Sequence, residues 1–178
     1  MKKSLLASAL VILLCNGSCR EPEPVQKAPE RSLEENDAII KDQIVRVNKQ
    51  LLQKESDEMD YYAKTHKMPF VKTLSGIRYY VYKPSQKGDS IKDNMTIDMD
   101  FEVSLLDGTL CYSSKTEGKR TFVVGHDDVE SGVHAGVKYL KRGDKAILLI
   151  PSALAHGLLG DMNKIPPQSP IVCDVQIY

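Results

Sequence analysis

A chain of 178 residues with 24 Lys and Arg against 24 Asp and Glu, 42% hydrophobic and 27% charged, has ordinary globular composition. That excludes collagen-like, mucin-like and wholly disordered classes. Zero formal net charge, no Trp and charges of both signs along the whole length leave no single-sign field to hold a nucleic acid, so the expected partners are proteins or peptides.

Lys2 and Lys3 precede an apolar or small run, Leu5 to Leu14, that ends in Cys15-Asn16-Gly17-Ser18-Cys19. This is a secretory signal over residues 1–18, too short to cross a bilayer of about 30 Å as a helix. Gly17 and Ser18 directly before Cys19 resemble a bacterial lipobox, which implies cleavage and lipidation at Cys19; ordinary cleavage near Ser18, leaving a free Cys19, is the other reading. Loss of two lysines with the signal leaves 22 basic against 24 acidic side chains. From Cys19 to Arg31 the chain is Pro-rich and acidic, with Pro22, Pro24 and Pro29, and reads as an extended tether that holds the folded part of the chain off a membrane of the cell envelope.

Residues 32–68 read as a helical region. Ser32-Leu33-Glu34-Glu35 fits a capping box, with Ser at the N-cap and Glu at N3. Ile40, Ile44, Val47 and Leu51 follow at i, i+4, i+7 and i+11, flanked by Leu33 and Tyr62, so one stripe of a helix from about Leu33 to Lys64 is apolar. At about 1.5 Å per residue such a helix is roughly 48 Å long, more than a small domain covers. Its stripe packs on its own domain, or pairs with a second copy or a client; Glu55, Asp57, Glu58 and Asp60 are expected on a solvated face.

Beyond Met68-Pro69 the period becomes two. Ile77, Tyr79 and Val81 alternate with Arg78, Tyr80 and Tyr82, and apolar residues occupy every second position from Met95 to Leu105. Asp107-Gly108 signals a turn into Leu110 to Ser114. Phe122 to Gly125, Lys145 to Ile150 and Ile171 to Ile177 read as further strands. One helix interrupts them: Val133, Val137 and Leu140 share a face, with Lys141 and Arg142 in its last turn and Gly143 at C′. Residues 71–178 are thus expected to be α+β, an antiparallel sheet wrapped over one short helix and preceded by the long one.

These residues resemble the FKBP-type peptidyl-prolyl cis-trans isomerases. Ordered landmarks carry the resemblance: Leu74-Ser75-Gly76-Ile77-Arg78-Tyr79; Leu106-Asp107-Gly108 before Ser113-Ser114; Gly132 to Val137; Arg142-Gly143-Asp144-Lys145-Ala146; and Ile165-Pro166-Pro167 leading into Ile171 to Val175. The string Gly157 to Ile165 resembles the gliding-motility-associated FKBP-like lipoproteins of bacteria.

The resemblance implies a catalyst without nucleophile, metal or cofactor. Rotation about Xaa-Pro meets a barrier of about 18–20 kcal/mol because amide resonance must be broken. A dry pocket that grips the prolyl ring and desolvates the carbonyl favours the twisted amide. Carried over, the catalytic positions are Phe101, Tyr112, Val129, Glu130, Val133 and His156, with Cys111, Arg120, Ile165 and Cys173 as substrate-binding positions. Phe101 keeps a ring where the family has Tyr; Cys111 and Cys173 stand for Phe, Tyr112 for a carboxylate, Arg120 for another Phe, and Val133 for the aromatic floor, generally Trp. Glu130 would contribute its backbone amide, and His156 replaces a hydroxyl donor with an imidazole N–H.

The implied function is a membrane-tethered isomerase that assists the folding of exported proteins on the envelope side of a membrane. The alternative is a catalytically degenerate peptide-binding module or chaperone. Expected partners are proline-containing polypeptide clients, a second copy through the N-terminal helix, and the membrane through the lipid anchor. The resemblance also sets Cys111 and Cys173 on neighbouring walls of one pocket, where a disulfide would plug the prolyl site; the other reading is two buried, reduced thiols. His126, Asp127, Asp128, Glu130 and His134 have irregular spacing for a metal site and read as an acidic approach to a helix N-terminus.

Overall fold

The computed structural model describes residues 32–178, so the signal at 1–18, Cys19 and the tether to residue 31 lie outside the described residues. The chain divides into two compact units between Ile40 and Lys41. The described part of the first is the opening of α1 (Leu33–Thr65), where the Ser32 hydroxyl accepts from the Glu35 amide at 3.1 Å as the capping box predicts.

In the second unit α1 ends as Lys67 turns left-handed at φ 54° and the Met68 amide reaches back to the Ala63 carbonyl. Among the described residues seven strands then form one antiparallel sheet: β1 (Val71–Lys72), β2 (Arg78–Lys83), β3 (Thr96–Leu105), β4 (Leu110–Ser113), β5 (Arg120–Val123), β6 (Lys145–Ile150) and β7 (Ile171–Ile177). Their spatial order is β1-β2-β6-β7-β3-β4, with β5 sharing the β3 edge that β4 occupies. Thr96–Met99 pair with β5 and Glu102–Ser104 with β4, and in the gap between them the Phe101 amide donates to the Ser114 hydroxyl at 3.1 Å.

Alternation sorts the central strands. Ala146, Leu148 and Ile150 face one side beside Val175, Cys173 and Ile171, and there they meet α3 (Ser131–Val137) in the main core with Val133 and Val137. Leu149 and Val172 face the other side and pack with Met59 of α1, beside Tyr62 and Phe70. β6 and β7 are buried on both faces, which explains their nearly unbroken apolar sequence.

Four expectations need correction. α3 stops at Val137, three residues short of Leu140, because the chain leaves the helix in a turn that still buries Leu140. Gly143, at φ 87°, therefore serves the turn into β6, where its amide donates to the Ile177 carbonyl. The strand placed at Phe122 to Gly125 begins at Arg120 and ends at Val123, since Gly125 turns left-handed at φ 88°. A second short helix, α2 (Ser114–Glu117), interrupts the strands where Ser113 caps it with a hydroxyl that accepts from the Lys115 amide.

The fourth correction concerns α1. Ile40, Ile44 and Val47 are each more than half exposed, as a stripe longer than its domain allows; what departs from expectation is Glu55, which is buried with Met59. Asp57, Glu58 and Asp60 are exposed as expected, Asp60 while accepting from Arg78, but Glu55 is buried and accepts from Ser152, so it does not belong to the solvated face. Among the described residues no helix is long and apolar enough to cross a membrane.

Candidate functional site

Where β4 and β5 part along β3, a cavity of about 260 Å³ opens toward α3. Val133 from α3 forms the floor, and Phe101, Val103, Ile171, Cys173 and Val175 form the apolar walls. The register explains the wall: Phe101 pairs with Val175 and Val103 with Cys173 on adjacent strands, so four side chains two residues apart point the same way.

The rim is polar. Arg120 lies over the Phe101 ring, 5.3 Å to the centroid, and donates to Glu130 at 3.2 Å, while His156 Nε2 approaches the other Glu130 oxygen at 3.4 Å. Across the mouth the Tyr112 hydroxyl donates to Asp161 and accepts from the Asn163 side-chain amide at 3.3 Å. Among the described residues the Glu130 backbone N–H has no acceptor, which leaves it available at the cavity edge.

Of the ten positions carried over from the resemblance, seven line this cavity: Phe101, Tyr112, Arg120, Glu130, Val133, His156 and Cys173. Val129 does not; it packs against the core and its amide is spent on the Asp127 carbonyl at 2.8 Å. Ile165 is buried behind the loop, its amide held by Asp161. Cys111 is also displaced, because it is the extra residue of a β-bulge: Tyr112 pairs with Val103 and Leu110 with Ser104, leaving Cys111 unpaired between them. Its thiol points to the Thr109 and Lys164 carbonyls.

That placement overturns the disulfide. Cys173 is on β7 and Cys111 on β4, with β3 between them, so their backbones stand roughly 9–10 Å apart at about 4.8 Å per strand, beyond the ~7 Å limit for a bridge. Both are buried free thiols, and burial raises the pKa of each. The acidic loop is likewise internally engaged: Asp127 accepts from the Val123 amide at 2.6 Å, and His134 bonds the Gly125 amide and the Asp127 carbonyl.

Asp161 also lines the cavity, although neither the hydrophobic pattern nor the resemblance marks it as a site position. Its Oδ1 accepts from the Asn163 and Ile165 amides at 2.9 and 2.8 Å, an Asx-type turn that shapes the loop, while Oδ2 holds Tyr112. The Asp-x-Asn-x-Ile spacing is the one signal of it in the sequence. Burial pushes its carboxyl pKa up, but the Tyr112 hydroxyl, the two amides and nearby His156 outweigh that and bring it down to about 2. A carboxylate whose folded pKa is depressed stabilises the fold above its unfolded pKa, about 3.9, and that stability is lost as pH falls toward 2. Asp161→Asn is therefore expected to flatten the pH dependence of urea unfolding between about pH 4 and 2. An unchanged slope in that window would remove Asp161 from this role.

An antiparallel sheet packed over a short helix, with a largely apolar cavity between them, is the class of fold these residues define. Residues 87–178 match the family of FKBP-type peptidyl-prolyl cis-trans isomerases, and the chain belongs to that family. It is 32% identical over 149 residues to the FKBP-type isomerase FkpA of Escherichia coli strain K12, covering 83% of this chain and 54% of that protein. A probable FkpA of Neisseria meningitidis serogroup B is 36% identical over 106 residues, 59% of this chain and 38% of that one. The crystal structure of FkpA from Escherichia coli superimposes with a TM-score of 0.60 at 29% identity, over 84% of this chain and 73% of that chain. This chain spans about half the length of the curated FkpA relative, or less.

Proposed function

We propose that this protein is a membrane-tethered peptidyl-prolyl cis-trans isomerase that assists the folding of exported polypeptides, with Cys19 carrying its lipid. The observation that carries the reading is the cavity: Phe101, Val103, Val133 and Val175 offer a dry surface to a prolyl ring, while the Glu130 amide and His156 imidazole stand at its edge. Desolvating the carbonyl beside proline disfavours the charge-separated planar amide, and donors fixed at the rim hold the chain while the bond turns. Proline-containing polypeptides are the proposed clients. The exposed Ile40, Ile44 and Val47 of α1 suit a second copy of the chain.

NMR exchange spectroscopy on Xaa-Pro peptides tests this. The protein is expected to accelerate cis/trans exchange, and Phe101→Ala, which removes the ring from the cavity wall, is expected to abolish the acceleration. Exchange at the uncatalysed rate with wild-type protein would overturn it. One observation favours a second reading, a peptide-binding module or chaperone: the aromatic lining is reduced to Phe101 and Tyr112. That reading predicts line broadening or shifts on peptide binding with no faster exchange.

A further inference from the structure

Glu55 is a buried carboxylate on α1, one turn before the buried Met59 that packs on the sheet face carrying Leu149 and Val172. Its Oε2 accepts from the Ser152 backbone amide at 3.0 Å and its Oε1 from the Ser152 hydroxyl at 2.5 Å. Burying a carboxylate is costly, and an apolar residue such as the neighbouring Met59 would dock the helix with less desolvation. Docking is also supplied by Arg78, which grips Ser56 and Asp60 from the sheet. The Glu55 contact thus does more than dock the helix, because the residue it holds is Ser152.

Ser152 opens the 3-10 turn Ser152–Leu154 that carries the chain to the cavity. Its carbonyl accepts from the amides of Ala155 at 3.0 Å and Gly157 at 2.7 Å, the two residues that bracket His156. Two residues on, the Leu154 carbonyl accepts from the hydroxyl of Ser131, which follows Glu130 at the start of α3. One peptide turn thus fixes both His156 and the entry to α3, and Glu55 fixes that turn from the far side of the sheet. We infer that Glu55 is a positioning residue for the site: through Ser152 it sets the His156 wall against Glu130, so that α1 forms part of the binding apparatus. This inference rests on reading the cavity as the prolyl site.

The test is a double-mutant cycle on the full chain, with peptide exchange giving kcat/KM and the His156 ring 1H–13C resonance reporting position directly. Glu55→Ala is expected to shift that resonance and lower kcat/KM about tenfold, and Ser152→Ala about threefold, through KM as well as kcat. In a His156→Ala background Glu55→Ala is expected to cost nothing further. Glu55→Gln, which still accepts from the Ser152 amide, is expected to restore the resonance and the rate. Since Glu55→Ala strands a buried amide and weakens folding, Ser152→Ala carries the same measurement in a milder variant. A His156 resonance unmoved in Ser152→Ala and Glu55→Ala, or losses that add to those of His156→Ala, would overturn the inference. If wild-type protein does not accelerate exchange, the isomerase reading fails and the positioning role is decided by the resonance alone.

Discussion

Arg78→Leu is expected to lower the unfolding free energy by about 3 kcal/mol, more than a hundredfold in the folding equilibrium, read as a shift of the urea midpoint at constant m-value. Arg78 is 2% exposed, and its guanidinium is fully committed: Nε and Nη2 to Asp60, Nη2 also to the Ser56 carbonyl and hydroxyl, Nη1 to the Gly76 carbonyl and the Met59 sulfur. Asp60 is half exposed, so the ion pair itself contributes less than about 1 kcal/mol. The larger part comes from the charge-assisted bonds to two backbone carbonyls, each about 1.5 kcal/mol or more, which leucine cannot replace. Arg78→Lys separates the terms: it keeps the charge for Asp60 but cannot fork between Ser56 and Gly76, so it is expected to recover less than half of the loss. A leucine variant within about 0.5 kcal/mol of wild type would show that the Arg78 bonds add nothing net to the docking of α1.

This latch marks the limit of what hydrophobic periodicity reveals. The long helix, its Ser32 cap and the strands β3 and β7 were all legible, the helix from its 3.6-residue stripe, the cap from Ser32 with Glu35, β3 from strict alternation and β7 from its apolar run. How α1 docks was not, since the contacts that fix it are Glu55 and Arg78, residues that any pattern of apolar positions assigns to water. The overlong α3 fails for a related reason: Leu140 has helical spacing from Val133 and Val137, yet burial constrains where a side chain ends up and not whether its backbone is still helical.

The site divides along the same line. Phe101, Tyr112, Val133, His156 and Cys173 reach the cavity because they sit on regular elements or follow fixed turns, so position along the chain transfers to position in space. Cys111 does not, because a one-residue bulge in β4 takes it off the wall without leaving a mark in the sequence. Asp161 acts through hydrogen bonds to its own loop and to Tyr112, and no periodic signal exists for such a residue.

The floor of the cavity depends on how closely α3 approaches β6, and Gly132 is where that approach is tightest. A Cβ built there lies 2.2 Å from Ile150 Cγ2 and 2.8 Å from the Leu154 carbonyl oxygen. Four residues on, a Cβ at Gly136 meets the Leu148 side chain, with its Cδ1 at 2.8 Å. In both positions alanine gains about 1 kcal/mol of helix propensity. At Gly136 the neighbour is the tip of a leucine that can turn aside, so the two effects nearly cancel and Gly136→Ala is expected within about 0.5 kcal/mol of wild type. At Gly132 the obstacles are a fully buried, β-branched side chain and a backbone carbonyl pinned by Ser131, and neither can yield without moving the turn that carries His156. Overpacking of about 3 kcal/mol against that gain leaves Gly132→Ala destabilised by about 2 kcal/mol in urea unfolding. Because Glu130 and Val133 flank Gly132, the same variant is expected to weaken peptide binding, whereas Gly136→Ala should retain it. Equal stability of the two variants would mean that α3 can shift away from β6 at no cost, and that the cavity is not built to a fixed depth.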